Sequence, residues 1–235
     1  MRRFSILSLL AAAVMLVIGT SAQADYYGKS KNRVYEVTIT NLTLAQSFTP
    51  QLLVTHDRRA SLFQAGESAS LPLEILAEGG DTAPFTDLLN GLGSAVGEVQ
   101  TVAGLLLPGT SVTTTIEANR FQRRFSLASM LIPTNDTFVA VNGIRLPHRG
   151  TRTVYALAYD AGTEANDQEC LNMPGPRCGG EGHSPGPNAG DEGFIYVSNG
   201  FHSLPASTLE GGEVLGPQRY DWRNPVARIQ VKRIR

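Results

Sequence analysis

Residues 226–234 read VARIQVKRI. Successive side chains of an extended chain point to opposite faces, so Ala227, Ile229 and Val231 share one face and Arg228, Gln230 and Lys232 the other. One face suits a core and the other water, which is the pattern of an antiparallel sheet. Working back from this run, RVYEVTITNLT (33–43) alternates in the same way. TPQLLVTH (49–56), TSVTTTIEA (110–118), FSLASMLI (125–132), DTFVAVNG (136–143), TVYALAYD (153–160) and GFIYVS (193–198) are short runs of β-branched and aromatic residues separated by Gly, Pro, Asn and Asp. The expected fold class is all-β, an antiparallel β-sandwich. Only the segment from Leu71 to Leu107 departs from it. Phe85, Leu88, Leu89 and Leu92 there have helix-like spacing, but Gly91, Gly93 and Gly97 oppose a long helix. Short helical excursions over an edge of the sandwich are expected.

The amino terminus, MRRFSILSLLAAAVMLVIGTSAQA, has two arginines, an apolar run and small residues framing a cut after Ala24. That layout predicts a secretory signal peptide over residues 1–24. The apolar run is shorter than the about 20 residues a membrane-spanning helix needs. The expected mature chain, 25–235, is then a single domain without a transmembrane segment, and the protein is exported: periplasmic, cell-surface or secreted. Removing Arg2 and Arg3 leaves 18 basic against 21 acidic residues, a formal charge of −3. No basic stripe remains to neutralise a run of phosphates, so nucleic acid is excluded as the expected partner. The pair Arg123-Arg124 reads as a solvated turn. The two cysteines, Cys170 and Cys178, enclose LNMPGPR. In an oxidising compartment they are expected to form a disulfide.

Signals for catalysis are weak. GHSPG (182–186) has the spacing of a nucleophile elbow around Ser184, but no strand precedes it and Pro185 and Pro187 oppose a following helix. His56 beside Asp57 is the other candidate, and it reads first as a strand end leading into a turn. A secreted hydrolase using His56 with Asp57, or Ser184, is therefore the alternative to a binding module. The carboxylates say more. YDAGTEANDQE (159–169) crowds acidic residues around one glycine, and Asp136 starts a strand just after a proline turn. If 137–142 and 153–159 are antiparallel neighbours, Asp136 and Asp160 meet at one rim, and the turn can fold Glu164 toward them. Like charges held together call for a cation or a proton, and Ca2+ accepts such flexible sets of oxygen ligands.

FSLASMLIPTNDTFVAVNG, YDAGTE and NPVARIQVKRI, taken in this order, resemble the spondin amino-terminal domain family, the F-spondin and mindin type of module also found in bacterial exported proteins. The resemblance covers about Arg33 to Ile234. It implies a C2-like β-sandwich with one calcium ion at a loop end, held by Asp136, Asp160 and Glu164, with the carbonyl of Tyr159 as a further ligand. Glu164 stands where the family has Asp, one methylene longer. Glu117 is the nearest acidic residue to a glutamate that mindin-like members carry upstream, but its spacing does not match and it belongs to the opposite rim. The resemblance further implies adhesion or ligand binding to an extracellular or envelope protein or glycan.

Overall fold

The computed structural model describes residues 32–205 and 212–235. The predicted signal peptide, residues 1–24, lies outside them. The strands are β1 (Arg33–Asn41), β2 (Ser47–Phe48), β3 (Gln51–His56), β4 (Val96–Val102), β5 (Ser111–Ala118), β6 (Arg124–Ile132), β7 (Thr137–Arg145), β8 (Thr151–Asp160), β9 (Tyr196–Val197) and β10 (Ala227–Arg233). The α-helices are α1 (Leu71–Gly79), α2 (Ala83–Gly91) and α3 (Pro217–Tyr220). Neighbouring strands run in the order β4-β3-β6-β7-β8-β10-β1-β5, with β2 against β6 and β9 against β8. The ladders are antiparallel.

Strand β8 is the fold line of the sandwich. Its first part, Thr151–Ala156, ladders with β10, and its last part, Leu157–Asp160, ladders with Thr137–Ala140 of β7. The two ends of the strand order return to each other through side chains. Thr55 Oγ1 of β3 donates to the carbonyl of Glu117 in β5 at 2.7 Å, and Gln100 Nε2 of β4 donates to Thr114 Oγ1 at 2.8 Å. The enclosed core takes Tyr35, Val37 and Ile39 from β1, Leu127 from β6, Val139 from β7, and Ile229 and Val231 from β10. These are the alternate positions that the sequence pattern assigns inward.

A second core lies on the outer face of β3, β6 and β7. Leu52, Val54, Ala128, Phe138 and Ala140 pack there against Leu73 and Leu76 of α1 and Phe85 and Leu89 of α2. This is why β3 is buried along its whole length: Leu53 faces the inner core while Leu52 and Val54 face the helices. Burying one such leucine contributes about 1.5–3 kcal/mol. The helical excursions thus cover a face of the sheet, a correction to the edge position expected. Each helix starts with Pro in its first turn, and α1 stops at Gly80, whose left-handed backbone (φ 71°) returns its N–H to Leu76 O at 3.0 Å. Cys170 and Cys178 form a disulfide with Cα atoms 4.8 Å apart.

Candidate metal centre

The β7–β8 register sets the rim. Thr137 pairs with Asp160, so Asp136 sits one residue before the ladder and Ala161 one after it; the Ala161 N–H donates to Asp136 O at 3.2 Å. Asp136 Oδ2 then caps the loop that follows β8. It accepts the backbone N–H of Thr163 at 2.7 Å and of Glu164 at 3.2 Å. Asp160 Oδ1 accepts the Gly162 N–H at 3.0 Å, a turn closed by the side chain. The turn requires glycine: Gly162 has φ +68°, and a Cβ there would lie 2.3 Å from the carbonyl oxygen of Phe194. Asp160 Oδ2 accepts from Asn166 Nδ2 at 3.0 Å. The turn before β7 is bound to the same loop, since Asn135 Nδ2 donates to Asp167 Oδ1 at 2.9 Å.

Asp136 (0%), Asp160 (1%) and Glu164 (6%) are all withdrawn from solvent. Burial pushes the Asp136 carboxyl well above its ordinary range, and the charges of Asp160 and Glu164 push it the same way against the Thr163 and Glu164 amides. Asp160 is raised mainly by burial and further by Glu192, with Asn166 and Gly162 opposing. Glu164 is pushed up to about 8 by burial first and then by Glu78 and Asp167. Asp136 Oδ1 and Glu164 Oε2 are buried with no hydrogen-bond partner among the described residues. Two orphaned carboxylate oxygens fit a hard cation better than they fit each other. Tyr159, the fourth predicted ligand, is the strand residue before Asp160. It is laddered to Phe138 on one side and Val197 on the other, and its ring packs on Phe63 and Phe138.

Glu78 is the residue the sequence analysis passed over. The upstream glutamate that approaches Glu164 comes from α1, while Glu117 lies in β5, accepting from Asn32 Nδ2 at 2.9 Å. Glu78 is fully buried, its Oε2 accepts the Ser184 N–H at 2.9 Å, and its Oε1 has no partner among the described residues. Burial raises its pKa, with Glu74 adding to the rise. Glu74 and Glu78 are four residues apart and share one helix face. With His183 they form, among the described residues, the one group of three His, Cys, Asp or Glu whose ligand atoms lie within 4.8 Å of one another. The predicted set Asp136, Asp160 and Glu164 is more spread out. His183 Nε2 is 3.3 Å from Glu74 Oε1, an ion-pair distance outside hydrogen-bond geometry, so the nitrogen has no hydrogen-bond partner. A mixed nitrogen and oxygen set of this kind suits zinc or manganese better than calcium. The sequence signal was the Glu-x-x-x-Glu spacing ahead of Gly79-Gly80.

The catalytic candidates do not assemble. His56 is buried, its Nδ1–H donates to the carbonyl of Asp57 at 2.7 Å, and its Nε2 accepts from Ser126 Oγ at 2.7 Å. The Asp57 carboxylate turns away to Arg59. Ser126 is itself fully buried and accepts the Gly143 N–H at 2.7 Å, so this trio clamps β3, β6 and β7 together. Ser184 lies in a loop with no regular element before or after it.

An antiparallel sandwich whose proline turn and post-strand loop bring carboxylates to one rim defines the class of the fold, an all-β sandwich-like module. The family model of the spondin amino-terminal domain, Spondin_N, matches residues 38–169, more than half of the chain, and the chain belongs to this family. The matched span includes Asp136, Tyr159, Asp160 and Glu164. Membership marks an extracellular-type module, and the disulfide accords with that. No helix among the described residues is long and apolar enough to cross a membrane. No curated protein matches the chain.

Proposed function

We propose that the chain is an exported, non-catalytic, calcium-binding β-sandwich module that acts in adhesion or ligand binding at the cell envelope or outside the cell. One observation carries this reading: Asp136 Oδ1 and Glu164 Oε2 are buried and unpartnered among the described residues, and Asp160 is buried at the same rim as Asp136. Uncompensated carboxylates in such a place are costly, and a divalent cation neutralises them. Asp136, Asp160 and Glu164 would supply side-chain oxygens, with the Tyr159 carbonyl as a further ligand. Bound there, the ion ties the turn before β7 to the loop after β8 and fixes that rim as a surface for an extracellular or envelope protein or glycan. The rival, a hydrolase using His56 with Asp57 or Ser184, is opposed by the burial of His56 and by the Asp57–Arg59 pair.

Thermal unfolding of residues 25–235 in calcium and in chelator tests the reading. At about a hundredfold excess over Kd, calcium should add about 2.7 kcal/mol of stability, and Asp136→Ala or Asp160→Ala should abolish the gain. Equal unfolding with and without calcium would remove the proposed role. Turnover in an esterase, glycosidase and peptidase panel that His56→Ala or Ser184→Ala eliminates would replace it with the hydrolase.

A further inference from the structure

The opposite rim holds a cleft of about 680 Å³. Six arginines line it: Arg58 and Arg59 after β3, Arg123 and Arg124 at the start of β6, Arg145 at the end of β7 and Arg152 at the start of β8. Asp57 is the one carboxylate in the lining, which leaves a formal balance of 6 − 1 = +5 in a chain whose total is −1. That carboxylate is already engaged, accepting from Arg59 Nε at 2.9 Å and Nη2 at 2.7 Å. Arg124 Nη1 donates to the Gly143 carbonyl at 2.7 Å and Arg123 Nε to the Arg120 carbonyl at 2.8 Å, contacts that orient the groups without neutralising them. Arg58, Arg145 and Arg152 have no side-chain hydrogen bond or ion pair among the described residues.

The fold does not need this arrangement. Arg124 and Arg145 occupy directly paired positions of β6 and β7, where like charges oppose pairing. Local rules broken without a structural return mark functional surfaces. Guanidinium forks in a concavity suit planar or tetrahedral anions such as carboxylate, sulfate or phosphate, and a cleft of one sign concentrates the field on them. At the lip stands Phe121, 62% exposed, with the Arg120 guanidinium over one side of its ring at 4.6 Å from the centroid, so a sugar ring would rest on the other side. The basic groups converge on one cleft instead of running as the stripe that a nucleic-acid backbone follows.

We propose that this cleft binds a short segment of an acidic glycan, recognised through its sulfate or carboxylate groups by Arg58, Arg145 and Arg152. The site is at the far rim from the metal centre and works without the cation. It does not rest on the calcium reading.

The test is calorimetric titration of residues 25–235 in chelator with a heparin-derived hexasaccharide. Neutral dextran, oligodeoxythymidylate and vesicles of anionic phospholipid serve as the other arms. The sulfated sugar should bind, more weakly as salt rises, and dextran should not. Arg145→Ala with Arg152→Ala should weaken binding about tenfold or more while the melting temperature stays at the wild-type value; Arg58→Ala gives the same direction from a separate turn. Sugar binding that survives all of these substitutions overturns the proposal, as does an absence of sugar binding by the wild type. Tighter binding of oligodeoxythymidylate or vesicles than of the sulfated sugar at equal ionic strength assigns the cleft to another partner and overturns it equally.

Discussion

At one rim of the β6–β7–β8 meander, Asp136, Asp160 and Glu164 are buried, and backbone amides of the following loop hold the two aspartates. At the other, Arg145 and Arg152 stand exposed in a cleft, with no side-chain hydrogen bond or ion pair among the described residues. Both rims gather like charge, but burial makes the difference. Carboxylates taken out of water must find a proton or a cation, which shows as raised pKa values at all three positions. Guanidiniums left in water stay charged at little cost and wait for a ligand. The acidic rim is therefore bound up with stability, and the basic rim is nearly free of it.

Core removal beside the acidic rim should have the largest effect. Phe138 is fully buried between the sheet and its helices, with Phe63 and Tyr159 against its ring. Phe138→Ala should cost about 3–5 kcal/mol in urea unfolding, whereas Arg145→Ala should stay within about 0.5 kcal/mol. Comparable losses at both positions would erase the contrast. Opening the disulfide comes next: Cys170→Ser with Cys178→Ser should lower stability by about 2–3 kcal/mol, the loop-closure value for a ring of this size. It should leave binding in the arginine cleft unchanged.

A smaller effect, and the one that most sharpens the contrast, is the sign of the pH dependence in chelator. Asp136, Asp160, Glu164 and Glu78 have folded pKa values above their unfolded ones. The unfolded chain therefore loses these protons first as pH rises, and stability falls from about pH 4.5 toward 8, where Glu164 titrates. His56, near the basic rim, is lowered by burial. The unfolded chain gains that proton first as pH falls, so its contribution is full above 6.5 and declines below. Between about pH 4.5 and 6.5 the two effects oppose, and four carboxylates outweigh one histidine, so thermal unfolding should show a net loss of stability as pH rises toward 8. His56→Gln should steepen the fall between about pH 4.5 and 6.5, and Glu164→Gln should make it shallower toward 8; a wild-type profile in both variants would contradict the assignment.

How much of this was legible in the sequence follows from where each signal is stored. Strands β1 and β10 display strict alternation, and Asp136 and Asp160 could be placed at one rim because adjacent strands of an antiparallel pair have opposite directions; the Thr137–Asp160 pair is that inference in three dimensions. Helices α1 and α2 were obscured because Gly91, Gly93 and Gly97 count against a helix by propensity, although Gly91 is the last residue of α2 and Gly93 and Gly97 lie beyond it. Glu78 was invisible for another reason. A glutamate on a short helix reads as solvent-facing, and its burial arises only when the loop carrying His183 and Ser184 folds onto α1. The arginine cleft is assembled from segments near 58, 123, 145 and 152, so Arg123-Arg124 alone read as a turn.

Calorimetric calcium titration of residues 25–235, beside Asp136→Ala, Asp160→Ala and the Arg145→Ala/Arg152→Ala pair, tests the central claim most directly. A saturable site in the wild type and in the arginine variant, absent from both aspartate variants, is the predicted result. Calcium binding that persists in both aspartate variants, or that the wild type lacks, would contradict it.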